Sequence, residues 1–347
     1  MIGAAGHRPG TYAAAVTEPR VIGIGASAGG IDALLTLLQR LPEDFPHAVC
    51  VTVHLSATSK SKLADILDRR CAVSVVNARH HARLQGGCVF VAPPDRHLLV
   101  RAELIELSAG PKENGVRPAV DPMLRSIAAH GPRSVAVVLS GALGDGGDGA
   151  KLVLHGGGDV FVQEPDEALV TGMPRRAIEL VDGGATVLRA GDIGAALAAL
   201  APDSDDAPKE AHVNVTAPDE PARRPRPEGP ATGFTCPECD GAIWETREGD
   251  VTRYRCRIGH SYSEDSMVSE QGAALEAALW SALEMLEERG ELLRRVAQRR
   301  AGEHEGLHRR LTGAAADAEA RADLIRRALV PQARNGDAVS VSPDPEA

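Results

Sequence analysis

Between residues 20 and 200, short apolar runs alternate with segments of helical pattern, and this alternation constrains the fold more than any other feature. A run that is apolar at every position is typical of a strand buried on both faces, as in a parallel sheet. The strand candidates are Val21–Gly25, Ala48–Val53, Val89–Ala92, Val135–Ser140, Val160–Gln163 and Thr186–Leu188. The helix candidates are Ile31–Leu41, Ser59–Arg69, Pro122–His130, Pro174–Val181 and Ile193–Leu200. This repeat predicts an α/β fold with a doubly wound, mostly parallel sheet and with functional groups at the carboxyl ends of its strands.

The composition changes on both sides of this block. We expect flexible tails at 1–19 and 333–347, an α/β domain at 20–201 with an added hairpin at Leu98–Leu107, and a disordered linker rich in proline and charge at 202–232. A compact cysteine-bearing segment is expected at 233–264. Apolar residues then recur at helical spacing and predict one or two amphipathic helices at 265–332, with a break near Gly302–Gly306.

Charge and hydropathy exclude two classes of function. The formal net charge of −10 argues against sequence-independent binding of nucleic acid. No apolar run reaches the roughly 20 residues of a membrane span, and no signal peptide is recognised at the N-terminus, so neither membrane insertion nor secretion is expected. Three of the six cysteines are scattered and three are clustered, so a disulfide framework is not expected. We therefore expect a cytoplasmic protein.

The segment Gly23–Gly29 fits two functional templates. Read from Gly23, "GIGASA" matches the G-x-G-x-x-A turn that binds phosphates in dinucleotide-binding folds, whereas "GASAG" matches the G-x-S-x-G turn that presents a nucleophilic serine. A dinucleotide fold also requires an acidic residue at the end of the second strand. That strand ends at His54, so the nucleotide-binding interpretation lacks its second element.

The serine template requires a base and a carboxylate within reach of Ser27. His54 ends the second strand and Asp145 follows the strand Val135–Ser140, so all three residues lie at the same edge of a parallel sheet. Other interpretations stay open: Ser27 could cap a helix, and three more aspartates compete for the carboxylate role. These are Asp95, Asp121 and Asp148.

Five motifs in order make the block resemble the catalytic domain of the chemotaxis protein-glutamate methylesterases, the CheB-type enzymes. They are "IGASAGG", "VHLS", "VFVAPPDRHLLV", "VLSGALGDGGDG" and "TGMPRRAI". The resemblance implies that 20–201 is a methylesterase catalytic domain, with Ser27 as nucleophile, His54 as base and Asp145, rather than Asp148, as carboxylate. It also implies an oxyanion site from the backbone amides of Ala28 and Ala142, and no cofactor for catalysis.

The same resemblance implies a substrate class and partners. Members of the family hydrolyse glutamyl methyl esters on chemoreceptors, and the expected substrate is a methylated chemoreceptor-like protein, with deamidation of glutamine as a further expected activity. Only a short tail precedes the block, whereas standard members carry a phosphorylated receiver domain there. We therefore expect a free-standing enzyme without receiver control, with a cognate methyltransferase or other sensory protein as partner of the C-terminal helices.

The cysteine-bearing segment holds a metal-binding pattern. Cys236-x2-Cys239 is separated by sixteen residues from Cys256-x3-His260. Two ligand pairs at this spacing suit a tetrahedral zinc ion, and a redox pair explains only the first half of the pattern. Four protein ligands predict a structural Zn²⁺ ribbon, similar to the ribbon attached to some free-standing members of the family.

Two functions from different classes follow. The first is a serine carboxylesterase that acts on glutamyl methyl esters in chemotaxis or a related sensory adaptation. The second is a regulatory or interaction protein of a chemosensory-like system, with a weak or vestigial esterase site in the glycine-rich segment Gly141–Gly149.

Overall fold

A computed structural model describes residues 19–55, 61–200, 226–300 and 305–332 of the 347-residue chain. The chain forms two units, Met1–Val268 and Ser269–Ala347. The expected tails and most of the expected linker at 202–232 lie outside the described residues.

The first unit contains a seven-stranded parallel sheet and a separate hairpin. The strands are β1 (Val21–Ala26), β2 (Ala48–Val53), β3 (Ser74–Asn77), β4 (Cys88–Val91), β5 (His97–Arg101), β6 (Leu104–Ser108), β7 (Ser134–Val138), β8 (Asp159–Gln163) and β9 (Ala185–Leu188). The sheet order is β3-β4-β2-β1-β7-β8-β9, with β5 and β6 paired as the hairpin. Strand β1 has β2 on one side and β7 on the other, so the winding direction reverses at β1. The predicted doubly wound sheet is confirmed, and this reversal places a crevice at the carboxyl ends of β1 and β7.

Helices cover both faces of the sheet. They are α1 (Gly30–Leu38), α2 (Leu63–Asp68), α3 (Val120–Ala128), α4 (Gly147–His155), α5 (Gly172–Val181) and α6 (Ala190–Ala198). One apolar cluster joins α1, α2 and α6 to one face, and a second joins α3, α4, α5 and the hairpin to the other. The central strands β1, β2 and β7 are therefore buried on both sides, which is why their apolar runs are continuous.

Gly23 and Gly25 have a packing role in β1. A Cβ atom on Gly25 would lie 2.2 Å from Val120 Cγ1, and one on Gly23 would lie 2.6 Å from Leu124 Cδ2. The two glycines let α3 approach β1 closely. They lie within the strand rather than in the turn after it. A phosphate-binding turn would need them in that turn, so their position does not support nucleotide binding.

Two elements were absent from the sequence predictions. Strand β3 lies at the edge of the sheet and has a single buried residue, Val75, so it lacks a continuous apolar run. Helix α4 begins within the glycine-rich segment Gly141–Gly149. Glycine has a low helix propensity, so the sequence pattern did not indicate a helix there.

The cysteine-bearing segment forms a four-stranded antiparallel sheet, called the ribbon here. Its strands are β10 (Ala231–Thr235), β11 (Ala242–Glu248), β12 (Val251–Cys256) and β13 (Ser261–Tyr262). The ribbon begins at Ala231, slightly before the expected boundary at residue 233, because β10 pairs with β11 from Ala231 onward.

The second unit contains most of α7 (Glu264–Arg299) and all of α8 (Glu305–Gln332). Ion pairs join Arg294 to Glu319 and Arg326 to Glu287, so residue numbers fall in α8 as they rise in α7 and the helices are antiparallel. A small apolar cluster around Leu283 lies between them. The expected break near Gly302–Gly306 falls largely on residues 301–304, outside the described part. Among the described helices, none combines the length and the apolar character that a membrane span needs.

Replacing Ile24 in the centre of β1 should destabilise the first unit. Ile24 is fully buried, and Ile24→Ala should lower the free energy of unfolding by about 2–5 kcal/mol through lost burial and a residual cavity. Chemical denaturation followed by circular dichroism measures this change. Ile31→Ala on α1 is the control, because Ile31 is 44% exposed and should change stability by less than about 1 kcal/mol. Equal losses in both variants would contradict the described packing.

Candidate active site

Ser27, His54 and Asp145 meet at the carboxyl edge of the sheet. They follow β1, β2 and β7, which are adjacent strands. His54 Nδ1 lies 3.0 Å from Ser27 Oγ, and His54 Nε2 lies 2.6 Å from Asp145 Oδ2. The Asp145 side chain is 1% exposed and the His54 ring 15% exposed, while Ser27 is half-buried. The chain of hydrogen bonds therefore runs from a buried carboxylate to a hydroxyl that solvent and substrate can reach.

The protonation pattern of His54 follows from its partners. A carboxylate only accepts hydrogen bonds, so Nε2 carries the proton that is donated to Asp145. In the neutral ring, Nδ1 then has a free lone pair and accepts the Ser27 hydroxyl proton. This tautomer is the one in which His54 can act as a base toward Ser27.

Backbone hydrogen bonds fix the turn that carries Ser27. The Ser27 amide donates to the Ser140 carbonyl at 2.9 Å, and the Gly30 amide donates to the Ser27 carbonyl at 3.0 Å. Gly29, with φ of +73°, is the N-cap residue of α1. This left-handed conformation favours glycine and reverses the chain directly after Ser27. Ser27 is thus not the helix cap that the sequence left open as an alternative.

Four donors hold the Asp145 carboxylate. Oδ2 accepts from His54 Nε2 and from the Val120 amide, both at 2.6 Å. Oδ1 accepts from Asn114 Nδ2 at 2.9 Å and from the Asp121 amide at 3.0 Å. Val120 and Asp121 begin α3, where unpaired amides and the helix dipole favour an anion. Burial alone would raise the pKa of Asp145, but the bonds from His54 and the two amides outweigh it and hold that pKa well below its ordinary value.

The three competing aspartates bond elsewhere. Asp95 pairs with Arg117 near the surface, at 2.5 Å. Asp121 accepts from the Gly146 and Gly149 amides, both at 2.9 Å, and so supports the segment that follows Asp145. Asp148 lies in the first turn of α4 and bonds to Arg253 at 2.6 Å.

The expected oxyanion residues lie beside Ser27. Ala28 follows it in the turn, and Ala142 follows Gly141, at which an added Cβ would lie 2.8 Å from Ser27 Cβ. Ala28 and Ala142 are both exposed. Across the described part of the chain, neither alanine amide has a hydrogen-bond acceptor. Two amides without a described acceptor therefore lie in the two segments that meet at Ser27.

A cluster of buried charges lies behind Asp145, and the sequence predictions did not include it. Glu113 accepts from Arg125 Nη2 at 2.8 Å and from Arg253 Nη2 at 2.9 Å. Arg253, on β12 of the ribbon, also bonds to Asp121 at 3.1 Å and to Asp148 at 2.6 Å. The sequence signal for Arg253 is weak, because an arginine on a ribbon strand is ordinarily solvated.

The expected metal ligands also come together. The ligand atoms of Cys236, Cys239, Cys256 and His260 all lie within 4.8 Å of one another. The Sγ atoms of Cys239 and Cys256 are 3.7 Å apart, and His260 Nδ1 lies 3.5 Å from Cys236 Sγ and 3.6 Å from Cys256 Sγ. A tetrahedral zinc ion with Zn–S of about 2.3 Å and Zn–N of about 2.0 Å requires separations of about 3.5–3.8 Å. The group therefore fits a closed tetrahedral site.

The sequence of the sheet domain is similar to that of a known protein family and its members. The family model described as CheB methylesterase matches residues 22–197. The protein-glutamate methylesterase FrzG of Myxococcus xanthus is 37% identical over 196 residues, which are 55% of this chain and 58% of FrzG. A protein of Rhodospirillum rubrum named protein-glutamate methylesterase/protein-glutamine glutaminase 1 is 37% identical over 168 residues, 46% of this chain and 43% of its own. The chain thus spans about half the length of these two relatives.

The fold of the sheet domain is also similar to that of a solved structure. The crystal structure of the Thermotoga maritima CheB methylesterase catalytic domain superposes with a TM-score of 0.50 at 33% identity. The match covers 52% of this chain and 98% of that domain. The similarity is therefore to a complete catalytic domain.

The Glu113 pairs should make stability depend on pH in the acid range. Burial raises the pKa of Glu113, but the charges of Arg125 and Arg253 outweigh it and lower that pKa to about 2, from an ordinary 4.5. The stabilisation is therefore full above about pH 4.5 and disappears as the pH falls toward 2. Glu113→Gln should lose about 3 kcal/mol relative to the wild type at pH 7, and this difference should shrink between about pH 5 and pH 3.

Urea unfolding of both proteins across this pH range measures the difference. Glu103→Gln is the control, because the Glu103 side chain is 42% exposed in its pair with Arg133 and its curve should run parallel to that of the wild type. A pH-independent difference for Glu113→Gln would show that the carboxylate charge contributes nothing.

Proposed function

The chain belongs to the CheB methylesterase family, and on this premise we propose that it is a serine carboxylesterase that hydrolyses glutamyl methyl esters on a chemoreceptor-like protein. The observation that carries the proposal is the chain of hydrogen bonds from the half-buried Ser27 hydroxyl through His54 to the buried Asp145 carboxylate. The names of the relatives support the ester as substrate, since FrzG and the Rhodospirillum rubrum protein are both called protein-glutamate methylesterases.

The reaction begins with Ser27. His54 Nδ1 takes the hydroxyl proton as Ser27 Oγ attacks the ester carbonyl carbon, and Asp145 stabilises the imidazolium that forms. The carbonyl oxygen becomes an oxyanion and accepts hydrogen bonds from the Ala28 and Ala142 amides. The carbon–oxygen bond to the methoxy group then breaks, and methanol leaves with the proton held by His54. The product at this stage is a glutamyl ester of Ser27.

Water completes the reaction. His54 removes a proton from a water molecule, the hydroxide attacks the acyl carbon, and the bond to Ser27 Oγ breaks with return of the proton to the serine. The products are glutamate on the substrate protein and free enzyme. The same attack on a glutamine side chain expels ammonia in place of methanol, and the proposal includes this deamidation because the Rhodospirillum rubrum relative is also named a glutaminase.

A zinc ion in the ribbon is part of the proposal. Cys236, Cys239, Cys256 and His260 would hold it, and the ion would supply structure rather than chemistry because all four positions are taken by protein atoms. Thiolate ligands persist in a reducing compartment, so the proposal includes a cytoplasmic location.

The second candidate function, interaction with sensory proteins, is favoured by one feature of the helical unit. Helix α7 exposes large apolar side chains, among them Leu275, Trp280 and Met285. Such side chains on a charged helix are typical of a surface that binds a protein partner. A cognate methyltransferase or another sensory protein fits this role, alongside the esterase rather than instead of it.

Removing the nucleophile tests the esterase. Ser27→Ala should lower methanol release from a methylated chemoreceptor preparation by at least about 10⁴-fold, because no other group can form the acyl-enzyme. Release of radiolabelled methanol measures the rate. Ser74→Ala is the control, since Ser74 is exposed on the edge strand β3 and should keep wild-type activity. Equal rates in wild type and Ser27→Ala would eliminate the proposed mechanism.

Metal analysis tests the ribbon. The purified protein should contain one zinc ion per chain, and Cys239→Ala should lose it because three ligands bind zinc much more weakly than four. Mass spectrometry of the metal content gives the stoichiometry. Cys71→Ala should retain the ion, since Cys71 lies outside the ligand group. A folded wild-type protein that never binds zinc would rule out the proposed site.

A further inference from the structure

We propose that Arg253 of the ribbon is a positioning residue for Asp145, so that the esterase site is complete only with the ribbon folded against the sheet domain. The inference rests on the proposed function, since it concerns the geometry of the same site. Arg253 lies on β12 and is fully buried. Its guanidinium bonds to Ser261 within the ribbon and otherwise to three carboxylates of the sheet domain.

Two of those carboxylates connect Arg253 to the segment that carries Asp145: Asp121 supports this segment and Asp148 belongs to it. Asp121 Oδ1 accepts from the Gly146 and Gly149 amides, and Asp121 Oδ2 accepts from Arg253 Nη1 at 3.1 Å. Asp148, three residues after Asp145, accepts from the same Nη1 at 2.6 Å. Arg253 therefore binds both the side chain that supports this segment and a side chain within it.

Asn114 forms a second connection between the ribbon and Asp145. Its Nδ2 donates to Asp121 Oδ2 at 2.8 Å and to Asp145 Oδ1 at 2.9 Å. Its Oδ1 accepts from the Ser263 amide at 3.0 Å, and its own amide donates to the Ser261 carbonyl at 2.8 Å. The orientation of Asn114, and hence one of the four hydrogen bonds to Asp145, is set by the backbone of β13 and of the residue that follows it.

The buried negative charge around Asp145 requires a buried positive charge, and Arg253 supplies it. Asp121, Asp145 and Asp148 are buried close together, and such a group of like charges needs a buried counter-charge. Burial and the two neighbouring aspartates raise the pKa of Asp121, and Arg253 opposes this shift. Without Arg253, Asp121 and Asp148 lose the hydrogen-bond donor that they share and their buried counter-charge, so the segment that holds Asp145 loosens.

The experiment compares Arg253→Met and Arg253→Lys with the wild type. Arg247→Met is the matched control, because Arg247 is exposed on the adjacent strand β11. The readouts are zinc content, thermal unfolding, kcat and KM for methanol release from a methylated chemoreceptor preparation, and the low-field proton NMR resonance of the His54 imidazole N–H bonded to Asp145. Loss of this resonance in Asp145→Asn assigns it.

Arg253→Met should lower kcat by about 10- to 100-fold, as is typical of a residue that orients a functional group through a hydrogen bond. KM should stay within a factor of about two, because Arg253 is fully buried and its hydrogen bonds go to Ser261 and to three buried carboxylates rather than to Ser27. The low-field resonance should shift or broaden, while zinc content stays at the wild-type value. Arg253→Lys should fall between wild type and Arg253→Met, because one ammonium restores the charge without the planar fork that reaches three carboxylates.

A folded Arg253→Met with wild-type kcat and an unchanged resonance would overturn the inference. Should Arg253→Met fail to fold, Arg253→Lys decides: lowered kcat at unchanged KM supports positioning, and wild-type kcat refutes it. The NMR readout needs no substrate. A wild type that releases no methanol but loses the resonance on Arg253→Met would therefore refute the proposed function and leave the positioning role supported.

Discussion

The burial of one ionised carboxylate, Asp145, organises the structure around the candidate active site. A carboxylate in a dry interior needs donors on both oxygens, and here His54, Asn114 and the first two amides of α3 supply them. This requirement places the N-terminus of α3 at the carboxyl end of β7. Gly25 in β1 makes that placement possible, because any side chain there would collide with Val120. Gly25, beside the nucleophile, thus serves the carboxylate that follows the neighbouring strand β7.

Counter-charge is the second consequence of that burial. Four acidic side chains lie buried together, and Arg125 or Arg253 pairs with each of them except Asp145, whose partner is His54. The four are Glu113, Asp121, Asp145 and Asp148. One of these arginines belongs to the sheet domain and the other to the ribbon. A buried pair that loses one partner leaves an uncompensated charge, which is strongly destabilising. The ribbon is therefore joined electrostatically to the interior of the sheet domain.

The ribbon itself has a small core. Its buried apolar cluster consists of Cys236, Ile243, Cys256 and Tyr262, together with Met267 from the start of α7. Two of these residues, Cys236 and Cys256, belong to the proposed ligand set. A sheet of this size rarely folds on hydrophobic burial alone, and a metal ion is a common means of holding it together. The proposed zinc ion would account both for the geometry of the four side chains and for the small size of the core. Only two residues separate Arg253 from Cys256, so the buried arginine lies on the strand that ends at a proposed ligand.

The sequence by itself determined the features that depend on local pattern. Continuous apolar runs specify strands buried on both faces, so the doubly wound sheet and the position of Ser27, His54 and Asp145 after their strands were predictable. The metal-binding pattern could also be recognised from the Cys–His spacing, since each ligand pair lies on one short turn. Edge strand β3 and glycine-rich α4 escaped prediction, because one lacks an apolar run and the other has low intrinsic helix propensity.

Only the tertiary structure decided how distant side chains share one buried volume. The residues alone left four aspartates open for one role, because nothing local distinguishes a carboxylate that faces a histidine from one that faces an arginine. Asn114 gave no sequence signal, although it bridges two of those aspartates. Arg253 pairs with groups 105 to 140 residues away. Such pairings arise from the packing of the ribbon against the sheet domain, and the cost of burying charge then selects which side chains must meet.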